Sequence, residues 1–469
     1  MFNTKNYDLS KLFAVSENGT ELTYEEWLVI QHKLQQSVSP RSLVMVLTTN
    51  SIGAVAGLFG LLNISSVVMP VDAGVSSPEL EKLVDTYEPE YVLAPSEMQI
   101  EFVDCQLVLN ILDYGLYFLK KSNCKIVDND LAMLLTTSGS TGSQKYVRLS
   151  YKNLVSNASS IVKYLRIEQN DRPITTLPLH YSYGFSIISS HLLVGATILV
   201  SNSSIVTREF WSFADKYEAT TFGGVPYTFQ TMKQMRMSSQ KLKTLRYVTQ
   251  AGGKMSEEVR DWVTNWSIEK AFDFIVMYGQ TEASPRMSYL PAKQLSQKSE
   301  SIGIAIPGGR FEIVDRSNEI ITKPNQIGEI WYYGDNVCLG YAESREDLNL
   351  GDINLGLLKT GDLGHYDDEG FYFIDGRISR FVKLFGNRIS LDELEQEFAK
   401  SFSECAILAT DSTLNVFIED DEFDELKIKD IVSRIGIHPT SVSSHRVKEV
   451  PRNANGKIDY PALRKQFDV

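Results

Sequence analysis

The sequence predicts an α/β protein: a large N-terminal domain of two stacked α/β layers plus a small β-barrel, followed by a small α+β C-terminal domain. Three patterns carry that prediction. Between residues 42 and 202, and again between 220 and 277, short apolar runs alternate with segments of helical character, the rhythm of β-α-β units around a largely parallel sheet covered on both faces. After Gly303 the rhythm changes to short alternating strands set off by Gly, Pro, Asp and Asn, as in an antiparallel sheet or small barrel. Beyond residue 379 a third texture begins around the capping box Ser390-Leu391-Asp392-Glu393 and suits a compact unit of about 90 residues.

In chain order, strands are expected at 43–47, 67–71, 91–94, 174–177 and 197–200 in the first layer, and at 220–222, 247–249 and 274–277 in the second. Residues 52–71 are the most apolar stretch, but Asn63, Ser65, Ser66 and Pro70 interrupt it before about 20 apolar residues accumulate. A buried helix over 53–62 and a buried strand over 66–71 are therefore predicted in place of a membrane span. The barrel strands fall at 311–314, 329–333 and 370–374. In the last unit Leu394, Phe398 and Phe402 share one helical face; strands follow at 406–409 and 414–418, a charged helix near 425–434 and a final strand near Val447. The run Glu419-Asp420-Asp421-Glu422 reads as a solvated loop. Two domains result, 1–378 and 379–469.

Composition narrows the function. The 469 residues carry 46 Lys plus Arg against 59 Asp plus Glu, and a net charge of -13 has the wrong sign for gripping nucleic acid. At 43% hydrophobic and 22% charged the chain is globular in composition, which excludes wholesale disorder. Cys105, Cys124, Cys338 and Cys405 form no C-x-x-C pair and no disulfide framework, and residues 1–22 lack the apolar core of a secretory signal. A cytoplasmic location is expected.

The most informative stretch runs from an apolar strand into Thr137-Ser138-Gly139-Ser140-Thr141-Gly142-Ser143-Gln144-Lys145. Gly removes the steric barrier to close approach, the hydroxyls and backbone N–H groups donate, and the lysine adds a cation, so the loop suits a polyphosphate. It is not a Walker A loop, since Gly142 and Lys145 are three apart and Tyr146 follows. Alone, it reads equally as a Ser/Gly linker. Tyr278-Gly279-Gln280-Thr281-Glu282 places an aromatic plane, a hydroxyl and a carboxylate at the end of a predicted parallel strand, where ligands collect in open α/β sheets. Lys359-Thr360-Gly361-Asp362 offers an acid on a tight turn, able to accept from two ribose hydroxyls. Asp375-Gly376-Arg377 supplies a guanidinium, and residues 451–457 end in Lys457 beside a glycine.

In this order and spacing the segments resemble the adenylate-forming superfamily of acyl-CoA synthetases, nonribosomal-peptide adenylation domains and luciferases, over about residues 20 to 465. The resemblance implies ATP-dependent activation of a carboxylic acid to an acyl-adenylate with release of pyrophosphate, then transfer to the thiol of CoA or of the phosphopantetheine arm of an acyl carrier protein. It implies that the loop Thr137 to Lys145 holds the β- and γ-phosphates, that Gly252, Gly253, Lys254 and Tyr278 enclose the adenine beside Gly279 and Gln280, and that Thr281 meets the α-phosphate. Glu282 would hold Mg²⁺, Asp362 the ribose, and Arg377 ribose or phosphate, with Lys383 among the nucleotide contacts. Lys457, on a mobile C-terminal domain, would sit between the substrate carboxylate and the α-phosphate. Relatives hinge two residues after the arginine of the Gly-Arg pair, here Ser379, where Asp or Lys is usual, and line a pantetheine tunnel at the position of Gly386. Gln144 and Tyr146 replace the usual Pro and Gly around Lys145.

The segment Leu177-Pro178-Leu179-His180-Tyr181-Ser182-Tyr183-Gly184 lies where amino-acid-activating relatives carry an aspartate for the substrate ammonium, and it holds no acid. A plain carboxylic acid is therefore expected, with His180 near the carboxylate and acyl pocket, or else packed at a strand end. Phe222 reads as pocket wall or as core. Two other functions remain open at this level: an adenylating enzyme that loads an amino or aryl acid onto a carrier, and a degenerate relative that binds nucleotide or acyl-adenylate without turnover.

Overall fold

The computed structural model describes residues 7–98, 104–120, 126–136, 145–237, 243–384, 387–402, 404–410, 413–434, 441–453 and 457–467. The first layer is built on an eight-stranded sheet in the spatial order Gly340–Ala342, Tyr146–Ser150, Leu131–Thr136, Val67–Asp72, Leu43–Thr48, Tyr91–Pro95, Tyr114–Leu119, Cys105–Ile111. Its centre is parallel, as expected: Leu43–Thr48 is buried along its whole length, and the helix Ile52–Asn63 buries all but its last residue. The flanks correct the expectation of a largely parallel sheet. Cys105–Ile111 and Tyr114–Leu119 form an antiparallel hairpin, because only Leu112 and Asp113 separate them and a parallel crossover needs about a dozen residues. Leu112 takes the left-handed conformation at φ 53°, an unusual place for a leucine, and no Gly or Asn advertises the turn.

The second layer and the barrel strands are joined more closely than the sequence indicated. Thr221–Gly224, Tyr247–Gln250 and Asp273–Tyr278 pair in parallel, and Ser288–Leu290 then turns the sheet antiparallel. Ser301–Ala305, Tyr372–Arg377, Leu357–Tyr366, Gly328–Gly334 and Gly309–Val314 continue it to nine strands. The predicted strand at 174–177 pairs only at its start, Pro173 with Thr221 and Ile174 with Leu199. Beyond it the Thr175 side chain replaces the backbone, accepting from Ser201 N at 2.8 Å and donating to Ser201 O at 3.2 Å.

At the C-terminus, Cys405–Ala409, Leu414–Glu419 and Val442–Val447 make a three-stranded sheet. Leu394, Phe398, Ile407, Val416 and Ile431 form its core against the helices Leu391–Ala399 and Glu425–Arg434. The acidic run is only partly a loop: Glu419 ends a strand and accepts from Val450 N at 3.0 Å, and a short helical turn covers Asp420–Glu422. Among the described residues no helix is long and apolar enough to cross a membrane.

Candidate active site

The C-terminal ends of three parallel strands lie side by side and deliver the residues around Gly224, the Gly252-Gly253-Lys254 turn and the segment Tyr278 to Glu282 to one edge. Gly279 is obligatory there: a Cβ on it would sit 1.6 Å from the Pro285 carbonyl oxygen. Across the edge, Asp362 faces inward from the strand Leu357–Tyr366 and is 1% exposed. Gly361, at φ +70°, and the Thr360 hydroxyl, 3.1 Å from Asp362 N, shape the bend that presents it.

The Asp362 carboxylate is the hub of this end. Its Oδ1 accepts from Arg377 Nε at 2.7 Å; its Oδ2 accepts from Gln280 Nε2 at 2.9 Å and from the Tyr278 hydroxyl. Asp362 and Arg377 are cross-strand partners, so the sheet register itself makes the ion pair. Burial, and secondarily the Asp362 charge, push the Tyr278 phenol well above its usual range, so it stays a donor. The Asp362 charge likewise holds Arg377 above the ordinary arginine value. Three of roughly four carboxylate lone-pair sites are taken, leaving Oδ1 with room for one further donor.

Thr281 and Glu282 follow on a short helical turn. The Thr281 hydroxyl lies 3.1 Å from Ser182 Oγ, and Glu282 Oε1 accepts from the Tyr341 hydroxyl at 2.8 Å. No cluster of three or more metal-ligating side chains occurs among the described residues. One carboxylate beside a hydroxyl fits Mg²⁺, which usually takes one or two protein carboxylates and completes its shell with phosphates and water.

Residues Thr137, Ser138, Gly139, Ser140, Thr141 and Gly142, and the tunnel residue Gly386, lie outside the described residues. The flanking strands pair Thr136 with Tyr146, so the two ends of the loop meet at the sheet edge. Lys145 Nζ lies 3.0 Å from Glu343. Lys254 pairs with Glu300 at 2.8 Å, and Arg260 pairs with the same carboxylate. Lys383 lies on the strand Phe381–Leu384 and Ser379 in the turn Ile378–Arg380.

Lys457 arrives from the far end of the chain. Its backbone is clamped by Asn453, whose N–H donates to Lys457 O at 2.8 Å and whose Oδ1 accepts from Lys457 N at 3.1 Å. The side chain reaches the large domain: Cε lies 3.9 Å from where a Cβ on Gly252 would be, a point also close to the Tyr181 hydroxyl. Burial, then the Arg377 charge, push the ammonium down to about 8, while Glu282 and Asp362 pull it back up. The closure is held by Gln230 Nε2 donating to Glu404 at 2.9 Å and by Arg452, which pairs with Glu404 at 2.5 Å and stacks 4.7 Å from the Tyr227 ring centre.

His180 Nδ1 lies 3.0 Å from Thr48 Oγ1, whose proton goes to Val71 O at 3.1 Å. Thr48 therefore accepts, Nδ1 carries the proton and Nε2 is an acceptor. Burial lowers the His180 pKa, against the opposing pull of Asp72, so the ring is neutral near pH 7. Phe222 packs in the core against Trp211 and Trp266 at centroid distances of 6.1 and 6.4 Å and also borders a small internal cavity. Sequence reasoning missed Ser186, Arg286, Tyr341, Asn157 and Asn336. Asn157 and Asn336 donate to the carbonyl of Arg286 at 2.9 and 3.0 Å and fasten the segment after Glu282. Only Arg286 left a signal, a charge set between Pro285 and the apolar-rich residues that follow it.

The profile of the AMP-binding enzyme family matches residues 14–342. The chain belongs to this family. Among AMP-binding enzymes, 4-coumarate–CoA ligase-like 8 of Arabidopsis thaliana is 26% identical over 377 residues, covering 76% of this chain and 67% of that protein. The 2-succinylbenzoate–CoA ligase of Bacillus pumilus (strain SAFR-032) is 28% identical over 374 residues, 73% of this chain and 72% of the other. The fold extends beyond the profile match: o-succinylbenzoate CoA synthetase (MenE) of Bacillus subtilis, solved with the acyl-adenylate OSB-AMP, superposes with a TM-score of 0.81 at 20% identity, over 98% of this chain and 96% of the other.

Proposed function

We propose that this AMP-binding enzyme is an AMP-forming acid–thiol ligase, which converts a carboxylic acid and ATP to acyl-adenylate and pyrophosphate and then transfers the acyl group to the thiol of coenzyme A. The observation that carries this reading is the approach of the buried Lys457 ammonium to Gly252, within the electrostatic reach of Glu282 and Asp362. A carboxylate attacking a phosphate brings two anions together, and a preorganised cation at that point offsets their repulsion as the transition state forms. No general base is needed, since a carboxylic acid is already ionised at pH 7.

In this scheme the open site on Asp362 takes a ribose hydroxyl, Tyr278 supplies a wall for the adenine, Thr281 faces the α-phosphate and Glu282 holds Mg²⁺. The metal, when bound, neutralises phosphate charge. Neutral His180, with Nε2 as acceptor, shapes the acid end without supplying charge. An α-amino acid is a poor fit, because the segment Leu177 to Gly184 holds no acid and the buried charge at Ser186 is the cation Arg286. The names of the relatives favour coenzyme A as acceptor; an acyl carrier protein has no comparable support.

We place the pivot at Ser379 and divide the domains at 378/379. Arg377 is bound to Asp362 of the large domain, whereas Arg380 pairs with Asp392 at 2.8 Å and Glu395 at 2.7 Å and lies over Tyr460, all in the small one. The test is acid-dependent pyrophosphate release from ATP by the full chain, with and without coenzyme A. Acyl-CoA formed in step with pyrophosphate is the expected outcome. ATP binding with no pyrophosphate from any acid would leave a binding protein without turnover.

A further inference from the structure

We propose that the activated acid carries a second carboxylate at its far end and that Arg286 binds it; this rests on the reading that the site activates an acid. Four arginines are buried among the described residues, Arg148, Arg260, Arg286 and Arg345, and their partners differ in kind. Arg260 shares the Glu300 carboxylate with Lys254. Arg345 pairs with Glu90 at 2.6 Å. Arg148 is surrounded by main-chain carbonyls, those of Tyr341, Leu339 and Gly351 lying at 3.0, 3.1 and 3.2 Å. Arg286, 2% exposed, has neither. Its Nε and Nη2 donate to the single hydroxyl oxygen of Ser186 at 3.1 and 3.0 Å, Nη1 meets the Met277 sulfur, and the guanidinium lies 4.1 Å from the centre of the Tyr183 ring. Among the described residues no carboxylate is paired with it.

Arginine does not shed its proton, so a full positive charge is buried here. A hydroxyl, a thioether and an aromatic face compensate it less than the anion that buried charges normally keep. Arg286 borders a small cavity with Ile161, Ile187, His191, Phe222 and Tyr247, which has room for about one water, so a carboxylate reaches the guanidinium only as these side chains shift. His191 adds nothing to that cavity's charge: Nδ1 is bound to Ile187 O at 2.7 Å and Nε2 to the Tyr247 hydroxyl at 2.9 Å, so the ring is saturated and neutral.

The location fits one molecule reaching both ends. Ser182, beside Thr281, opens the helix Ser182–Leu193, and Ser186 is the next turn along it. Four residues of helix span about 6 Å, so an acid whose reactive carboxylate lies at Thr281 meets Arg286 with a group a few bonds away. The guanidinium fork suits a carboxylate in bidentate geometry. The segment bearing it is fixed in advance by Asn157 and Asn336, so little ordering is left for binding.

The experiment compares straight-chain diacids with length-matched monoacids for ATP-dependent pyrophosphate release by the full chain, in the native protein and in Arg286→Met and Arg286→Lys. The native protein is expected to prefer the matched diacid by roughly 10² to 10³-fold in kcat/KM. Arg286→Met should bring that ratio toward one, and Arg286→Lys should retain part of it. Equal use of both series by the native protein overturns the proposal, and that comparison decides even where a variant fails to fold. A diacid preference that survives in folded Arg286→Met also overturns it. Release with monoacids alone overturns this proposal and leaves acid activation standing, whereas release with no acid overturns both.

Discussion

The two ends of the candidate site are built on opposite principles. At the nucleotide end Asp362 is met by Arg377, Gln280 and Tyr278 before any ligand binds, and its charge is balanced within the protein. At the acyl end Arg286 is equally buried but touches only neutral groups. A balanced charge holds its shape whatever ligand arrives; an unbalanced one makes binding conditional on what the ligand brings. On the proposed reading, the difference separates generality from selectivity: the first end would serve a constant co-substrate, and the second would discriminate.

Lys457 lies between these ends and offers the largest test. Lys457→Ala should slow adenylate formation by at least roughly 10² to 10³-fold while sparing transfer from supplied acyl-adenylate to coenzyme A. ATP–pyrophosphate exchange and a thioester assay measure the two steps separately, and equal loss in both would remove the lysine from the first step. Asp362→Ala leaves Arg377 and Tyr278 without their acceptor. It should raise the KM for ATP by about 10 to 100-fold and leave the KM for the acid unchanged. Movement of both constants together would mean that the ends are not independent.

A pH profile is the next in size. Because the Lys457 ammonium titrates at about 8, it is charged below that pH and neutral above it. The kcat/KM of adenylate formation should therefore fall by up to about tenfold per pH unit on the alkaline side, with no matching fall in thiol transfer at a fixed thiolate concentration. A flat profile to pH 10 would show the ammonium charged throughout. The smallest effect is expected of Tyr341→Phe, which removes one hydrogen bond to Glu282. About 1 kcal/mol, or roughly fivefold in the Mg²⁺ concentration needed for half-maximal rate, should be lost. A similar shift in the acid KM would argue against placing Glu282 with the nucleotide.

This asymmetry also decided what could be read in the sequence. Thr281, Glu282, Asp362, Arg377 and Lys457 stand in short segments whose own turns present them: Gly361 at φ +70° shapes the Asp362 bend, and Asn453 closes the Lys457 turn. Each segment is weak alone, and it is their order along the chain that carries the resemblance from which the expected roles come. The parallel strands at 43–48 and 67–72 were visible as apolar runs buried throughout the sheet. Ser186 and Arg286 touch across 100 residues of chain, and no local pattern encodes a contact of that kind. The hairpin of Cys105–Ile111 and Tyr114–Leu119 escaped because its left-handed turn position is filled by Leu112 instead of Gly or Asn, leaving Asp113 as the lone turn signal.

The placement of Arg377 and Arg380 has a mechanical consequence. They are fastened to different bodies, so on the pivot reading only Ile378 and Ser379 stand between the two moorings, a link too short to stretch or drift. Such a joint works as a turnstile. On the proposed reading it would carry Lys457 out while Asp362 stays with the ribose, so that the activated intermediate need not be released to solvent between one half of the cycle and the next.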